Sequence, residues 1–256
     1  GIEASDNPEA QMIRIGIGGW NFAEWRGVFY PDDLPQRREL EYASRQLTSI
    51  EVNATYYGSQ KPATFQKWHD ETPDDFVFAI KGPRFATNRK VLAESGDSVA
   101  RFLDSGITKL GAKLGPINWQ FAETKKFEPD DFGAFLKLLP DSHEGVALRH
   151  AVEPRHDSFA ADEAADLCRQ HNVAIIRGAD ADFPEIEADT ADFAYWRLMG
   201  TTDLEQGYSG ADLDKWAKAA RKEISMIKAL VPSLHTTVLD RAMQVFGAMG
   251  ISPATP

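Results

Sequence analysis

Short runs rich in β-branched and aromatic residues alternate along the chain with segments whose apolar residues recur at helical spacing. The runs fall at 13–18, 49–56, 75–82, 111–121, 150–155, 172–178 and 192–200. Between them, 35–47, 62–71, 98–105, 129–139, 160–171 and 209–230 carry helical periodicity or a proline in the first turn, and 184–190 reads as a short helical segment. Strict alternation of this kind predicts right-handed βαβ units and a parallel sheet. Several runs hold charged residues inside them, unlike the near-continuous apolar strands of open doubly wound sheets. The expected fold is therefore a single α/β TIM (β/α) barrel, irregular at its eighth strand. Only 236–240 offers a β-like run after the long helical segment, so 231–256 is the least determined part. The expected organisation is a flexible tail at 1–11 followed by one domain at 12–256.

Strand parity then sorts the residues by face, because successive side chains point to opposite sides. In the second run Ile50, Val52 and Ala54 share the face that meets helices, leaving Glu51, Asn53 and Thr55 toward the barrel axis. The same reasoning turns Lys81 inward with Val77 and Ala79, Asn118 with Gln120, Glu153 and Arg155 with Ala151, Arg177 with Val173 and Ile175, and Tyr195 with Arg197. The first run contributes Gly16, Gly18 and Trp20. These polar residues gather toward the C-terminal ends of their strands, where barrel enzymes carry their sites.

The 256 residues hold 28 Lys and Arg against 39 Asp and Glu, a net charge of −11. Yet the inward set opposes four cations, Lys81, Arg155, Arg177 and Arg197, to two carboxylates, Glu51 and Glu153. A positive mouth on an acidic body points to an anionic small molecule, phosphate- or carboxylate-bearing. Arg suits bidentate recognition of such groups, with Asn53, Gln120 and Tyr195 orienting the ligand. A structural ion-pair network tying strands together is the competing reading. In an enzyme, a hydrolase or lyase, Glu51 would be the general base and Glu153 the acid or an orienting carboxylate. A non-catalytic binding or regulatory barrel stays open, as do a carbohydrate hydrolase, with Trp20 or Trp119 as stacking platform, and a nucleic-acid phosphodiesterase. The last is disfavoured by the net charge.

Other signals are weaker. Gly16 to Trp20 lacks the third glycine of a dinucleotide fingerprint, and no phosphate-loop motif occurs. Arg84, Asn88, Arg89 and Lys90 form a basic stretch after the third strand that could hold a phosphate or simply meet solvent. His150 and His156 lie near a strand end, but no metal-binding pattern includes them, so neither metal nor cofactor is expected. Cys168 reads as a buried structural thiol. The absence of a membrane-span pattern or a signal-peptide pattern gives the expectation of a cytoplasmic protein with no membrane partner.

Gly16-Ile17-Gly18-Gly19-Trp20, then Trp25, Phe29-Tyr30-Pro31 and Glu51-Val52-Asn53-Ala54-Thr55-Tyr56-Tyr57 resemble the YecE-like family, domain of unknown function 72. The likeness continues through Trp68, Thr72-Pro73, 76–81, 115–121, Glu153-Pro154-Arg155-His156 and 195–200. It implies a TIM barrel with a pocket at its C-terminal face, and no established activity. Met199 stands where the family commonly has His. Pro154 cannot donate to a ladder and so marks a strand end. The family's aromatic eighth strand is not recognisable after Leu230.

Overall fold

The computed structural model describes residues 13–178, 181–199, 209–212 and 214–216, and the backbone alone at 179 and 226–229. The expected tail at 1–11, the β-like run at 236–240 and the whole of 231–256 lie outside the described residues.

The strands are β1 Ile15–Gly18, β2 Ser49–Val52, β3 Val77–Lys81, β4 Leu114–Gln120, β7 His150–Glu153, β8 Ala174–Ile175, β9 Arg177–Ala179, β10 Tyr195–Leu198 and β11 Met226–Ala229. A small antiparallel hairpin, β5 Ser142–His143 with β6 Val146–Ala147, precedes β7. The main sheet is parallel, in the order β8-β7-β4-β3-β2-β1-β11-β10-β9. Its ends, β8 and β9, are consecutive in the chain and separated only by Ile176. They are two halves of one strand, the first pairing with β7 and the second with β10. No ladder joins the halves; the chain itself bridges them at Ile176. Together with its neighbours this makes the eight-strand path of a TIM barrel.

Three expectations need correction. The eighth strand is β11, at Met226–Ala229, which pairs with β1 and β10 inside the stretch read as one long helix. Helix is confined there, among the described residues, to 210–212 and 214–216. The run Met226-Ile227-Lys228-Ala229 is only four residues long, too short for its alternation to stand out from the helical pattern around it. The segment 184–190 is not helical. Pro184 at its start and Asp189-Thr190 at its end favour extended and turn backbone, and Thr190 instead caps the neighbouring strand, its hydroxyl accepting from Ile175 N and donating to Val173 O. The second run stops at Val52, and α2, Ala54–Tyr57, takes up its last residues.

Around the sheet run α1 Glu39–Gln46, α3 Pro62–Glu71, α5 Gly96–Leu103, α6 Pro129–Leu136 and α7 Asp162–Gln170, with the short α4 Arg84–Thr87 after β3. Proline opens α3 and α6, where its missing N–H costs nothing. The outward strand residues Ile50, Val52, Phe78, Ile80, Ile117, Trp119 and Val152 pack with Leu40, Phe65, Phe102, Phe135 and Cys168 in one large core. A second cluster lies on the other face of the sheet: Val77, Ala79, Ala151, Ala174, Ile176, Phe193 and Tyr195. Apolar residues thus floor the barrel, and the next inward residue of β3, β7 and β10 is Lys81, Glu153 or Arg197.

Close strand approach sets the glycine positions. A Cβ on Gly16 would stand 2.3 Å from the Ser49 carbonyl oxygen, a backbone atom locked in the β1–β2 ladder. We expect Gly16→Ala to cost about 1–3 kcal/mol through forced strand separation, read as a lowered denaturation midpoint at unchanged slope in guanidinium. Unaltered stability would mean that β1 and β2 are not this close.

Candidate functional site

The inward residues at the C-terminal ends of β2, β3, β4, β7 and β10 meet in one buried network. Glu51, Asn118 and Glu153 are essentially inaccessible, and Arg197 is 3% exposed. Glu153 accepts from Arg155 Nε at 3.0 Å and Nη2 at 2.6 Å, and from Arg197 Nη1 through its other oxygen. Arg197 Nη2 also lies 3.6 Å from Glu51 Oε1, so one guanidinium serves both carboxylates. Asn118 Nδ2 spans them as well, donating to Glu51 Oε2 at 3.2 Å and Glu153 Oε2 at 3.0 Å. The Tyr195 hydroxyl donates to Glu51 Oε2. Lys81 Nζ donates to Gln120 Oε1 at 2.5 Å, stands 4.0 Å from Glu51 Oε1 and lies 5.4 Å from the centre of the Tyr56 ring.

The charges set one another's protonation. Burial alone would raise the Glu153 carboxyl, but Arg197, Arg155 and Lys81 together overcome it and hold the group below the usual carboxylate range. Burial pushes the Lys81 amine down, and attraction to Glu51 only partly restores it. Tyr195 is raised well above the ordinary phenol by burial and by the negative Glu51, so it keeps its proton. Arg197 is also desolvated, yet the two carboxylates raise it further. Among the described residues, three basic side chains therefore face two carboxylates. Two buried polar atoms within the network, Asn118 Oδ1 and Arg197 Nε, have no protein partner.

The structure brings Glu51, Lys81, Gln120, Glu153, Arg155, Tyr195 and Arg197 together as the parity argument required. Asn53 sits at the rim, half-buried, beside the left-handed Gly19. Arg177 is not in the mouth. It points to the helix side, its Nε donating to Glu185 Oε1 at 2.5 Å and its Nη2 to Glu187 Oε1, with its guanidinium 4.7 Å from the Trp196 ring centre. Its run is apolar on both faces, Val173 and Ile175 on one, Ala174 and Ile176 on the other, so pattern could not choose the side. Ile176 belongs to the inner cluster, which fixes Arg177 outside.

Trp20 likewise packs in the outer layer, edge-on to Trp68 at 5.4 Å. Trp119 is fully buried there, donating to His150 Nδ1 at 3.1 Å. His150 is held neutral by burial, and its Nε2 meets the Pro140 carbonyl. His156 caps the turn at Ser158. Burial pushes the Cys168 thiol up to about 12, as suits a structural cysteine.

Sequence reasoning passed over Asn118 as a site residue, although its parity with Gln120 was the available signal. Tyr56 under Lys81 and Phe183, 4.9 Å from the Arg155 guanidinium, had no signal of their own. Among the described residues, no three His, Cys, Asp or Glu side chains gather as a metal site, and no helix is long and apolar enough to cross a membrane.

Fold and site together define a parallel β/α barrel with an ionic cluster at the C-terminal ends of its strands. The family model described as "Protein of unknown function DUF72" matches residues 14–245, and the chain belongs to this family, as its motifs indicated. UPF0759 protein YecE of Escherichia coli (strain K12) is 30% identical over 150 residues, 59% of this chain and 51% of that protein. The chain thus spans about half the length of that curated relative. A DUF72 family protein from Thermotoga maritima MSB8 superposes with a TM-score of 0.72 at 22% identity, covering 93% of this chain and 100% of the other. A xylose isomerase-like TIM barrel/4-hydroxyphenylpyruvate dioxygenase fusion protein gives a TM-score of 0.52 at 14% identity over 96% of this chain and 46% of its own. These structural likenesses show the TIM-barrel fold.

The pH dependence of stability follows from Glu153. Its folded value is depressed below the unfolded carboxylate value of about 4.3, so its ion pairs contribute fully above that pH and are lost as pH falls through the folded value. Wild-type stability should therefore drop on acidification below about pH 4. Glu153→Gln should flatten this contribution and, by stripping Arg197 and Arg155 of a counter-charge, destabilise the protein at pH 7 by about 3–5 kcal/mol. Denaturant titrations at the two pH values decide it; a variant as stable as wild type at pH 7 would show that the pairs carry no weight.

Proposed function

We propose that the barrel mouth binds a small anionic molecule, carrying a phosphate or carboxylate, and that Glu51 and Tyr195 form the proton-handling pair beside it. The observation that carries the reading is the surplus of cations among the described residues: there Lys81, Arg155 and Arg197 converge on Glu51 and Glu153, in a protein of net charge −11. Burying unbalanced charge is costly, so the cluster favours an anion that completes it.

Lys81 and Arg155 are the cations an entering ligand meets, with side chains 10% and 19% exposed against 3% for Arg197. Arg155 can present its guanidinium plane to a phosphate or carboxylate while Phe183 supports it from one side. Gln120 and Asn53 supply neutral hydrogen bonds at the rim. Asn118 Oδ1 and Arg197 Nε are the polar positions that a bound group or an ordered water would satisfy. Of the two roles considered for Glu153, its ion pairing supports the orienting one, since a carboxyl held ionised has no proton to give. Tyr195 keeps its proton and holds it toward Glu51, an arrangement suited to proton transfer in a hydrolase or lyase.

A non-catalytic binding barrel is the second reading, favoured by the hydrogen bonds already placed on both carboxylates. The outer-layer packing of Trp20 and Trp119 withdraws support from a sugar-stacking site.

Thermal shift at low ionic strength separates these readings. Inorganic phosphate or sugar phosphates should raise the melting temperature saturably, by up to about 2.7 kcal/mol of added stability at a hundredfold excess over Kd, and Arg155→Ala should abolish most of the gain. Stabilisation by neutral sugars alone would overturn the anion site. Should a screen of sugar phosphates and phosphodiesters find turnover, Glu51→Gln is expected to lower it by about 10²–10⁴-fold with binding retained. Turnover indifferent to this change would remove Glu51 from the chemistry.

A further inference from the structure

The loops after β2, β3 and β4 open on the same end of the barrel as the mouth, and they carry features that an anion site for a small molecule leaves unused. Tyr57, at the end of α2, and Phe85, in α4, are 65% and 60% exposed. Large aromatic side chains so open to water are costly unless something covers them. Between them stands Arg84, whose guanidinium lies 6.0 Å from the Tyr57 ring centre and 5.5 Å from that of Phe85. The result is an exposed series of ring, cation and ring.

From α4 the chain runs directly into a groove walled by 87–90 on one side and by residues of the loop after β4 on the other. Its walls hold Arg89, Lys90, Lys125 and Lys126 against one carboxylate, Glu128. Lys125 is engaged by Asp131 at 2.7 Å, and Arg89 is fixed by Phe85 O at 2.8 Å and Ser98 Oγ at 3.0 Å, so the groove is shaped as well as positive. Lys90 and Lys126 are exposed. Thr87 Oγ1, in the groove wall, is buried without a hydrogen-bond partner. A local surplus of positive charge on a chain of net charge −11 favours a polyanion at this place.

We propose that these loops bind single-stranded nucleic acid, with bases stacked on Tyr57 and Phe85 and the phosphodiester backbone following Arg84 into the groove past Lys90 and Lys126. A single strand offers unpaired base faces to aromatic rings and a phosphate beside each base, matching the alternation of ring and cation. A duplex keeps its base faces stacked and would leave Tyr57 and Phe85 uncovered. The basic stretch at 84–90 thereby acquires a role distinct from the Lys81 and Arg155 cluster.

Fluorescence anisotropy of a labelled oligothymidylate with the full chain tests this. Saturable binding at low salt is expected, weakening linearly in the logarithm of salt concentration. Tyr57→Ala and Phe85→Ala, both at exposed positions, should each weaken it by about tenfold. Lys90→Glu with Lys126→Glu should weaken it and reduce the salt slope. Arg155→Ala should leave it unchanged, so that loss of oligonucleotide binding and loss of small-anion binding are separately visible. The proposal is overturned if no saturable binding appears at low salt, if duplex of the same length binds equally well, or if both aromatic variants, shown folded by their melting curves, bind as wild type. In the last case the groove is a bare electrostatic attractor.

Discussion

A single guanidinium organises the inside of this barrel. Arg197, on β10, reaches Glu153 on β7 and Glu51 on β2, and so ties three strands that are not neighbours in the sheet. Water is almost excluded around it, which strengthens each attraction and makes any unpaired charge expensive. The other groups take their states from this arrangement. Tyr195 retains its proton because burial, reinforced by the neighbouring Glu51, raises its phenol; Lys81 loses basicity chiefly through burial, with Arg197 adding to the effect. Asn118 has a defined place because one amide nitrogen can satisfy two carboxylates already drawn together by the arginine.

The position of the cluster follows from ordinary packing. Small and branched side chains, Val77, Ala79, Ala151, Ala174 and Ile176, pack together in the lower barrel. One pleat further along, β3, β7 and β10 supply charge instead of methyl groups. The outer face makes the opposite commitment: Phe78, Ile80, Trp119 and Val152 meet the helices as one continuous core. A helix layer outside and an apolar floor below leave the C-terminal end of the strands as the place where these polar groups approach each other.

Much of this was legible from period-2 alternation. In β2, β3, β4, β7 and β10 one face is unmistakably apolar or the polar residues are few, so parity assigned Glu51, Lys81, Gln120, Glu153, Tyr195 and Arg197 correctly. Pro154 likewise marked the end of its strand, which stops at Glu153. Legibility failed where both faces are apolar. Arg177 sits in such a run, and β11 has no pattern that separates it from the helical residues before it. Trp20 lies beyond the last residue of β1, where strand parity no longer governs direction, and its partner Trp68 is set by the packing of α3. The aromatic supports Tyr56 and Phe183 come from loop geometry, which alternation does not describe.

The interruption at Ile176 gives the ring a seam. Everywhere else, adjacent strands are stitched by rows of backbone hydrogen bonds, but β8 and β9 each pair on one side only, and a single residue carries the circumference past the gap. Ile176 N is anchored to Val152 O at 2.8 Å, so the change of partner strand falls between Ile176 and Arg177. Nearer the mouth, β7 and β10 are linked across this strand by the contact of Arg197 with Glu153, a side-chain clasp in place of a ladder. The girth of the barrel at its mouth is therefore coupled to an ion pair, and two strands that share no hydrogen bond are spanned there by charge alone.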